Sequence, residues 1–260
     1  MTRPKTSLPT PETALVLRSI RHGETSRIVT LFSLERGKFA AIAKGARSGK
    51  GNGAIGSLAA PSLIEAMVYH KSSRSVQLLA QASVIDPYVG LREDILKSAY
   101  GAAIVELLDR SMIEGDVNRA AFAAAGSALE RLERSEITPR LAFQGFQLDL
   151  TAALGFALDA TACPVCGTTP ARTGWHNALM LSEGAICCEG CRIEGDAVTL
   201  TGESVNILRL LARRQTDLLK RLKTSEMAQN ELSNALSRYI RHHHPALGSL
   251  PAQAMIDRLE

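Results

Sequence analysis

The sequence predicts an α+β, multidomain chain: a small five-stranded β-barrel, then an α-helical body with an inserted four-cysteine segment. Three observations predict it. Five short runs rich in apolar and β-branched residues are crowded between residues 14 and 85, with turn residues between them. From residue 86 the texture becomes Ala/Leu-rich, with apolar residues at helical spacing. Two C-x2-C pairs interrupt that helical stretch, Cys163/Cys166 and Cys188/Cys191.

The chain has 260 residues, enough for two or three small domains. Hydrophobic residues make up 45% and aromatic ones only 4%, so the cores must be built from Leu, Ile, Val and Ala. No apolar run approaches the roughly 20 residues that span a bilayer. The start, "MTRPKTSLPTPET", has no apolar centre or cleavage pattern, so no signal peptide is expected. The expectation is a cytoplasmic protein with reduced thiols, where close cysteines are more often metal ligands than disulfides.

Residues 1–12, with Pro4, Pro9 and Pro11, read as a loose arm. The barrel is expected over 13–85. Its strands are "ALVLRSI" (14–20), "RIVTLFSL" (27–34), "KFAAIAKG" (38–45), "SLIEAMVYH" (62–70) and "SVQLLAQASVI" (75–85). In the third, Phe39, Ala41 and Ala43 share one face. Turns fall at "HGE" (22–24), "ERG" (35–37) and "KSSR" (71–74). The count and the long connection after the third strand suit a barrel of the oligonucleotide-binding (OB) type. That connection, "GARSGKGNGAIGS" (45–57), is glycine-rich and should be mobile. It is not a phosphate loop. Only three residues separate Gly45 from the Gly49-Lys50 pair, and Gly51 stands where a Ser or Thr would bind magnesium.

The helical domain is expected over 86–160 and 201–260, with the cysteine segment over 161–200 between. Helices are read at 91–112, with Leu91, Ile95, Ala99, Ala102, Val105 and Leu108 inward, then at 116–135 and 138–156. Thr138 suits the N-cap of the last and Pro139 its first position. Two more are read near 202–222 and 225–243. The run His242–His244 ends the latter. Its rings point about 100° apart on a helix, so they read as a helix end interacting with the last carbonyls, not as a chelate.

Charge is unevenly spread. Residues 1–85 hold twelve Lys or Arg against four Glu, a net of +8. Residues 86–200 hold nine basic against sixteen acidic, a net of −7, and residues 201–260 hold nine against six. A basic N-terminal third points to a polyanion partner. Arg21, Arg27, Lys38, Lys44, Arg47, Lys50, Lys71 and Arg74 are the candidates to neutralise phosphates. With only Phe32, Phe39 and Tyr69 as aromatics there, and the two Phe assigned to the core, stacking is expected to be limited and binding sequence-tolerant.

Among the five cysteines, Cys187 plus three lands on Gly190, so the second pair must be Cys188 and Cys191. The 21 residues between the pairs approach the spacing of zinc ribbons. Four thiolates make a closed structural zinc site with no open position for water. Four buried or free thiols are one alternative and a redox pair is another, and two pairs in one short segment count against the second. A zinc deaminase needs H-x-E ahead of its cysteines, and His176 is followed by Asn177 and Ala178.

The stretches "ALVLRSIRHGETSRIVTLFSLERGKFAAIAKGAR", "FQLDLTAALGFALDATACPVCG", "LSEGAICCEGC" and "LSRYIRHHHPALGSL" together resemble the bacterial RecO family of recombination mediators, over most of residues 13–250. The resemblance implies an OB fold, a helical domain and a zinc-binding insertion, with one structural Zn2+ on Cys163, Cys166, Cys188 and Cys191. It implies no catalysis. It implies binding of single- and double-stranded DNA, strand annealing, contact with the C-terminal tail of single-stranded-DNA-binding protein and, with RecR, loading of RecA on coated strands. That tail is acidic with an apolar end, so its pocket needs an apolar floor and an Arg rim. Arg131, Arg134 and Arg140, beside Leu129, Leu132 and Leu141, are the candidates, against local pairing with Glu130, Glu133 and Glu136. Two other readings are a zinc enzyme acting on nucleic acid and an RNA-binding zinc-ribbon protein.

Overall fold

The computed structural model describes residues 8–44, 58–170, 177–188, 190–191, 195–248 and 250–259. The chain forms two compact units, Met1–Gly126 and Ser127–Glu260.

In the first unit, strands β1 (Thr10–His22), β2 (Ser26–Ser33), β3 (Gly37–Ala43), β4 (Ser62–Tyr69) and β5 (Val76–Asp86) close a barrel in the order β1-β2-β3-β5-β4. All pairings are antiparallel except β3 with β5. This is the Greek-key OB barrel. Alternation decides which side chains fill it. Ala14 and Val16, Val29 and Leu31, Ala41 and Ala43, and Ile64, Ala66 and Val68 form one buried cluster with Leu79 and Ala82. Phe32 is buried on the outer side of β2, where it meets Phe122 with ring centroids 6.0 Å apart. Each fully buried Leu or Val contributes about 1.5–3 kcal/mol.

β1 begins at Thr10, so the arm expected over 1–12 is shorter than the sequence suggested. Its prolines hid the strand. Pro11 pairs with Met67 of β4 alone, because the ladder to β2 starts at Ala14. The N–H that proline lacks is therefore not missed on a second ladder. The connection 45–57 lies outside the described residues.

A 3-10 turn (Val89–Leu91) leads to α1 (Ile95–Ser111), whose N-cap Asp94 accepts from the amides of Leu96 and Lys97. The inward face differs from the expected one. Ile95 and Ala102 are exposed, while Tyr100, Ala103, Ile104 and Leu107 join Ala99, Val105 and Leu108 inside. After α1 the chain returns to the barrel: Gly115 N–H donates to the Lys38 carbonyl at 2.8 Å. Gly37 permits this approach. Its φ is +70°, and a Cβ there would run into the Asp116 carbonyl. α2 (Arg119–Glu133) follows.

In the second unit α3 (Pro139–Ala153) starts as the Thr-Pro pair predicts: Thr138 Oγ1 accepts from Leu141 N–H. The expected helix 202–222 is two helices, α4 (Gly202–Ala212) and α5 (Thr216–Arg221). Arg214 between them has φ +52°, a break that no Gly or Pro announces. α6 (Glu226–His243) and an unexpected α7 (Pro251–Leu259) complete the helices. The Glu231 carboxylate ties α6 to the start of α4, accepting from Thr201 N–H and from the Thr201 and Ser204 hydroxyls. Burial opposes its ionisation, but these donors outweigh burial and hold its pKa below the usual carboxylate value. Between α3 and α4 lies a sheet of three short strands, ordered β7-β6-β8: β6 (Asn177–Met180), β7 (Ala185–Cys187) and β8 (Ala197–Leu200). Among the described residues, no helix is long and apolar enough to cross a membrane.

Candidate metal centre and nucleic-acid interface

Two tight turns build the metal centre. In the first, Gly167 N–H donates to the Cys163 carbonyl at 2.9 Å. In the second, Cys191 N–H donates to the Cys188 carbonyl at 3.0 Å. The sulfurs of Cys163, Cys166, Cys188 and Cys191 all lie within 4.8 Å of one another. Cys166 and Cys188 are 3.5 Å apart, as are Cys188 and Cys191. With metal–sulfur bonds near 2.3 Å, the edge of a tetrahedron is about 3.8 Å, so the four donors fit one ion. Burial opposes ionisation of Cys163. The amides of Cys188, Cys166 and Val165 donate to its sulfur and bring its pKa down to about 5. Cys166 is lowered by the Thr168 hydroxyl, 2.9 Å away, and by the Thr168 amide. Cys191 is pushed up, chiefly by its contacts with Cys188 and Cys166. Sulfurs this close cannot all carry charge without a cation among them.

Cys187 is outside the group of four sulfurs that all lie within 4.8 Å of one another. It is a β7 residue, buried, with its sulfur 3.7 Å from that of Cys163. Its thiol donates to the Cys191 carbonyl at 3.2 Å, and burial first, then Cys163, push it up to about 11. It remains a neutral thiol packed under the centre.

The histidine run ends α6, as expected, but one of its rings is engaged elsewhere. His243 does not cap its own helix. Its ring stacks on Phe156 at 4.7 Å, and its Nε2–H donates to the Leu181 carbonyl at 2.8 Å. With Tyr239, whose hydroxyl donates to the Phe156 carbonyl, it fastens the β6–β7 turn to α6.

The basic candidates separate. Arg21, Lys44, Lys71 and Arg74 are exposed, and none forms an ion pair with a described residue. Arg21 sits directly across from Arg27 at the far end of the β1–β2 hairpin, and Arg27 Nε donates to Ser19 Oγ at 2.8 Å. Like charges facing each other across a ladder repel, so a phosphate there would be stabilising. Lys38 leaves the set. Its ammonium donates to the Asp109 carbonyl and pairs with the Asp109 carboxylate at 3.4 Å, which commits it to the α1 contact. Arg47 and Lys50 lie outside the described residues. Arg18, exposed on β1 opposite Thr30, was not selected from the sequence, although its place in an alternating strand marks it as outward.

Of the three arginines assigned to a partner's tail, Arg140 is already engaged, with Glu226 at 3.0 Å and Asn230 at 3.0 Å. Leu129, Leu132 and Leu141 are buried. Arg134 lines a cavity of about 650 Å3 together with Glu136, Ile137, Leu141, Leu219, Lys220 and Leu222, and it pairs with Glu136 at 4.0 Å, the local pairing that the sequence also offered, whereas Arg131 does not line it.

The family model for the Recombination protein O N terminal matches residues 9–88, and that for the Recombination protein O C terminal matches residues 92–251. The chain belongs to the RecO family. Among RecO relatives, the DNA repair protein RecO of Salinibacter ruber is 34% identical over 233 residues, covering 88% of this chain and 86% of its own length. The DNA repair protein RecO of Pelobacter propionicus is 32% identical over 234 residues (88% and 89%), and that of Alkaliphilus metalliredigens 28% over 229 residues (88% and 91%). The N-terminal RecO match coincides with the barrel. The C-terminal one takes in α1 to α6 and the four-cysteine centre.

Proposed function

We propose that this chain is a non-catalytic DNA-binding mediator of repair and recombination. In this reading it binds single- and double-stranded DNA, promotes annealing of complementary strands and, with RecR, helps RecA load onto strands coated by single-stranded-DNA-binding protein. The observation that carries the reading is the closed OB barrel whose exposed Arg21, Lys44, Lys71 and Arg74 have no carboxylate partner among the described residues. Cations without partners on a barrel gain most from a phosphate backbone, because each contact releases a condensed counterion. The names of the RecO relatives, DNA repair proteins, support the same reading.

The four thiolates hold one Zn2+ as a structural ion, the metal that a closed tetrahedral sulfur set selects alongside iron. When bound it supplies charge compensation and a cross-link, and no chemistry on a substrate. The acidic tail of single-stranded-DNA-binding protein docks in the Arg134–Lys220 cavity, its apolar end against Leu141, Leu219 and Leu222. The protein works in the cytoplasm, on the nucleoid.

The test is titration of labelled single- and double-stranded oligonucleotides at two salt concentrations, with annealing of complementary strands followed in parallel. Binding of both forms that weakens with salt, together with faster annealing, is expected. Absent binding, or strand cleavage on adding divalent metals, would reject the mediator reading.

A further inference from the structure

One end of the barrel breaks the rule that governs the rest of its interior. Past Ala14, Leu31, Ala41 and Val68, the inward positions become Glu12, Ser33, Phe39, His70 and Gln77. Glu12 is 1% exposed and accepts from Ser33 Oγ, from Arg36 Nε at 3.0 Å and, at 3.1 Å, from His70 Nε2. Those bonds hold the His70 ring edge-on to Phe39, with centroids 5.1 Å apart. Above this floor opens a cavity of about 490 Å3. Phe39, His70 and Val117 line it, and Arg74 of the β4–β5 turn stands at its rim.

We propose that this mouth is a pocket for one unstacked nucleobase of single-stranded DNA. The proposal rests on the DNA-binding reading and adds a subsite to it. Charge decides between base and phosphate. Arg36 is neutralised by Glu12 and Lys38 by Asp109, while Glu35 and Glu114 also face the cavity. The interior is balanced, which disfavours a phosphate and suits a flat, neutral group with an apolar face and a hydrogen-bonding edge. The volume is within the range of small-molecule sites. Exposed Lys71 and Arg74 on the adjoining turn are placed to hold the flanking phosphates. A base stacked and paired in a duplex cannot enter a concave site, so this pocket acts on single strands alone.

The test uses the full chain with a single-stranded oligonucleotide carrying 2-aminopurine, and a duplex of the same sequence. Phe39→Leu keeps an apolar side chain against the core and removes the ring, and Val117→Trp fills the cavity from a loop outside the strands. Both are expected to weaken single-strand binding by about tenfold, as for loss of one stacked base. Both should also abolish the 2-aminopurine emission change while leaving duplex binding within twofold. Wild-type affinity and emission in both variants would overturn the proposal, as would equal losses on single strand and duplex. In either case DNA binding by the wild type still stands. A wild type that binds neither form would reject the DNA reading itself, and this subsite with it.

Discussion

Cys187 and Cys188 are neighbours in the chain with opposite expected roles. Cys188 closes the four-sulfur set, whereas Cys187 is a protonated thiol donating to a main-chain carbonyl. Cys187→Ala should therefore retain one zinc per chain by metal analysis, and Cys188→Ala should lose it. Zinc loss from the first variant would mean that the fifth thiol is a ligand. His70 gives a second test. Burial first, then the Arg36 charge, lower its pKa below the ordinary value near 6.5, although Glu12 pulls the other way. The unfolded chain therefore binds this proton more readily than the folded one. The stabilisation is fully present above about pH 6.5 and is lost as pH falls from there through the lower folded value. The urea midpoint should drop between pH 7.5 and 5.5, and His70→Gln should make that drop smaller. An equal drop in the variant would remove His70 as the cause.

At the scale of elements, the β6–β8 sheet tests the metal most directly. Its strands are three or four residues long, and a sheet this small buries too little to stand alone. Metal binding and folding of such a segment are coupled. Chelation should speed amide hydrogen exchange in β6, β7 and β8, while β1–β5 keep their protection. Unchanged exchange in the short strands would show that Tyr239, His243 and the α6 contacts suffice. These strands also mark where legibility ended. Five barrel strands could be read because alternation over seven or more residues is a strong signal. A three-residue strand carries no period, and β7 runs straight into Cys188, whose partner thiols Cys163 and Cys166 lie more than twenty residues earlier. The α4–α5 break was hidden for a similar reason. An arginine in a left-handed conformation looks like any other helix residue, and only the fold forces it there. Phe39 shows a mixed outcome. Its face on β3 was legible, but alternation cannot say that the strand ends at an open mouth, where an inward residue is also half-exposed.

For the whole molecule, the charge asymmetry predicts how binding responds to salt. The first 85 residues carry a net of +8 on a chain whose total is +4. The exposed Arg21, Lys44, Lys71 and Arg74 all belong to that barrel segment. If the barrel supplies the phosphate contacts, the slope of log affinity against log salt counts them, at about 0.9 per duplex phosphate and 0.7 per single-strand phosphate. Replacing Lys44, Arg47 and Lys50 by Gln removes up to three contacts. The slope should flatten by about 2 to 3 units, and affinity at low salt should fall most, because the lost electrostatic term is largest there. Lys44 is exposed, and none of the three changes replaces a cysteine of the metal centre, so thermal stability and zinc content should hold. Replacing Arg213, Lys220 and Lys223 in the second unit removes an equal charge and serves as the control. If that set flattened the slope as much as the barrel set, net charge alone would explain binding, and the proposal that the barrel contacts DNA would fall.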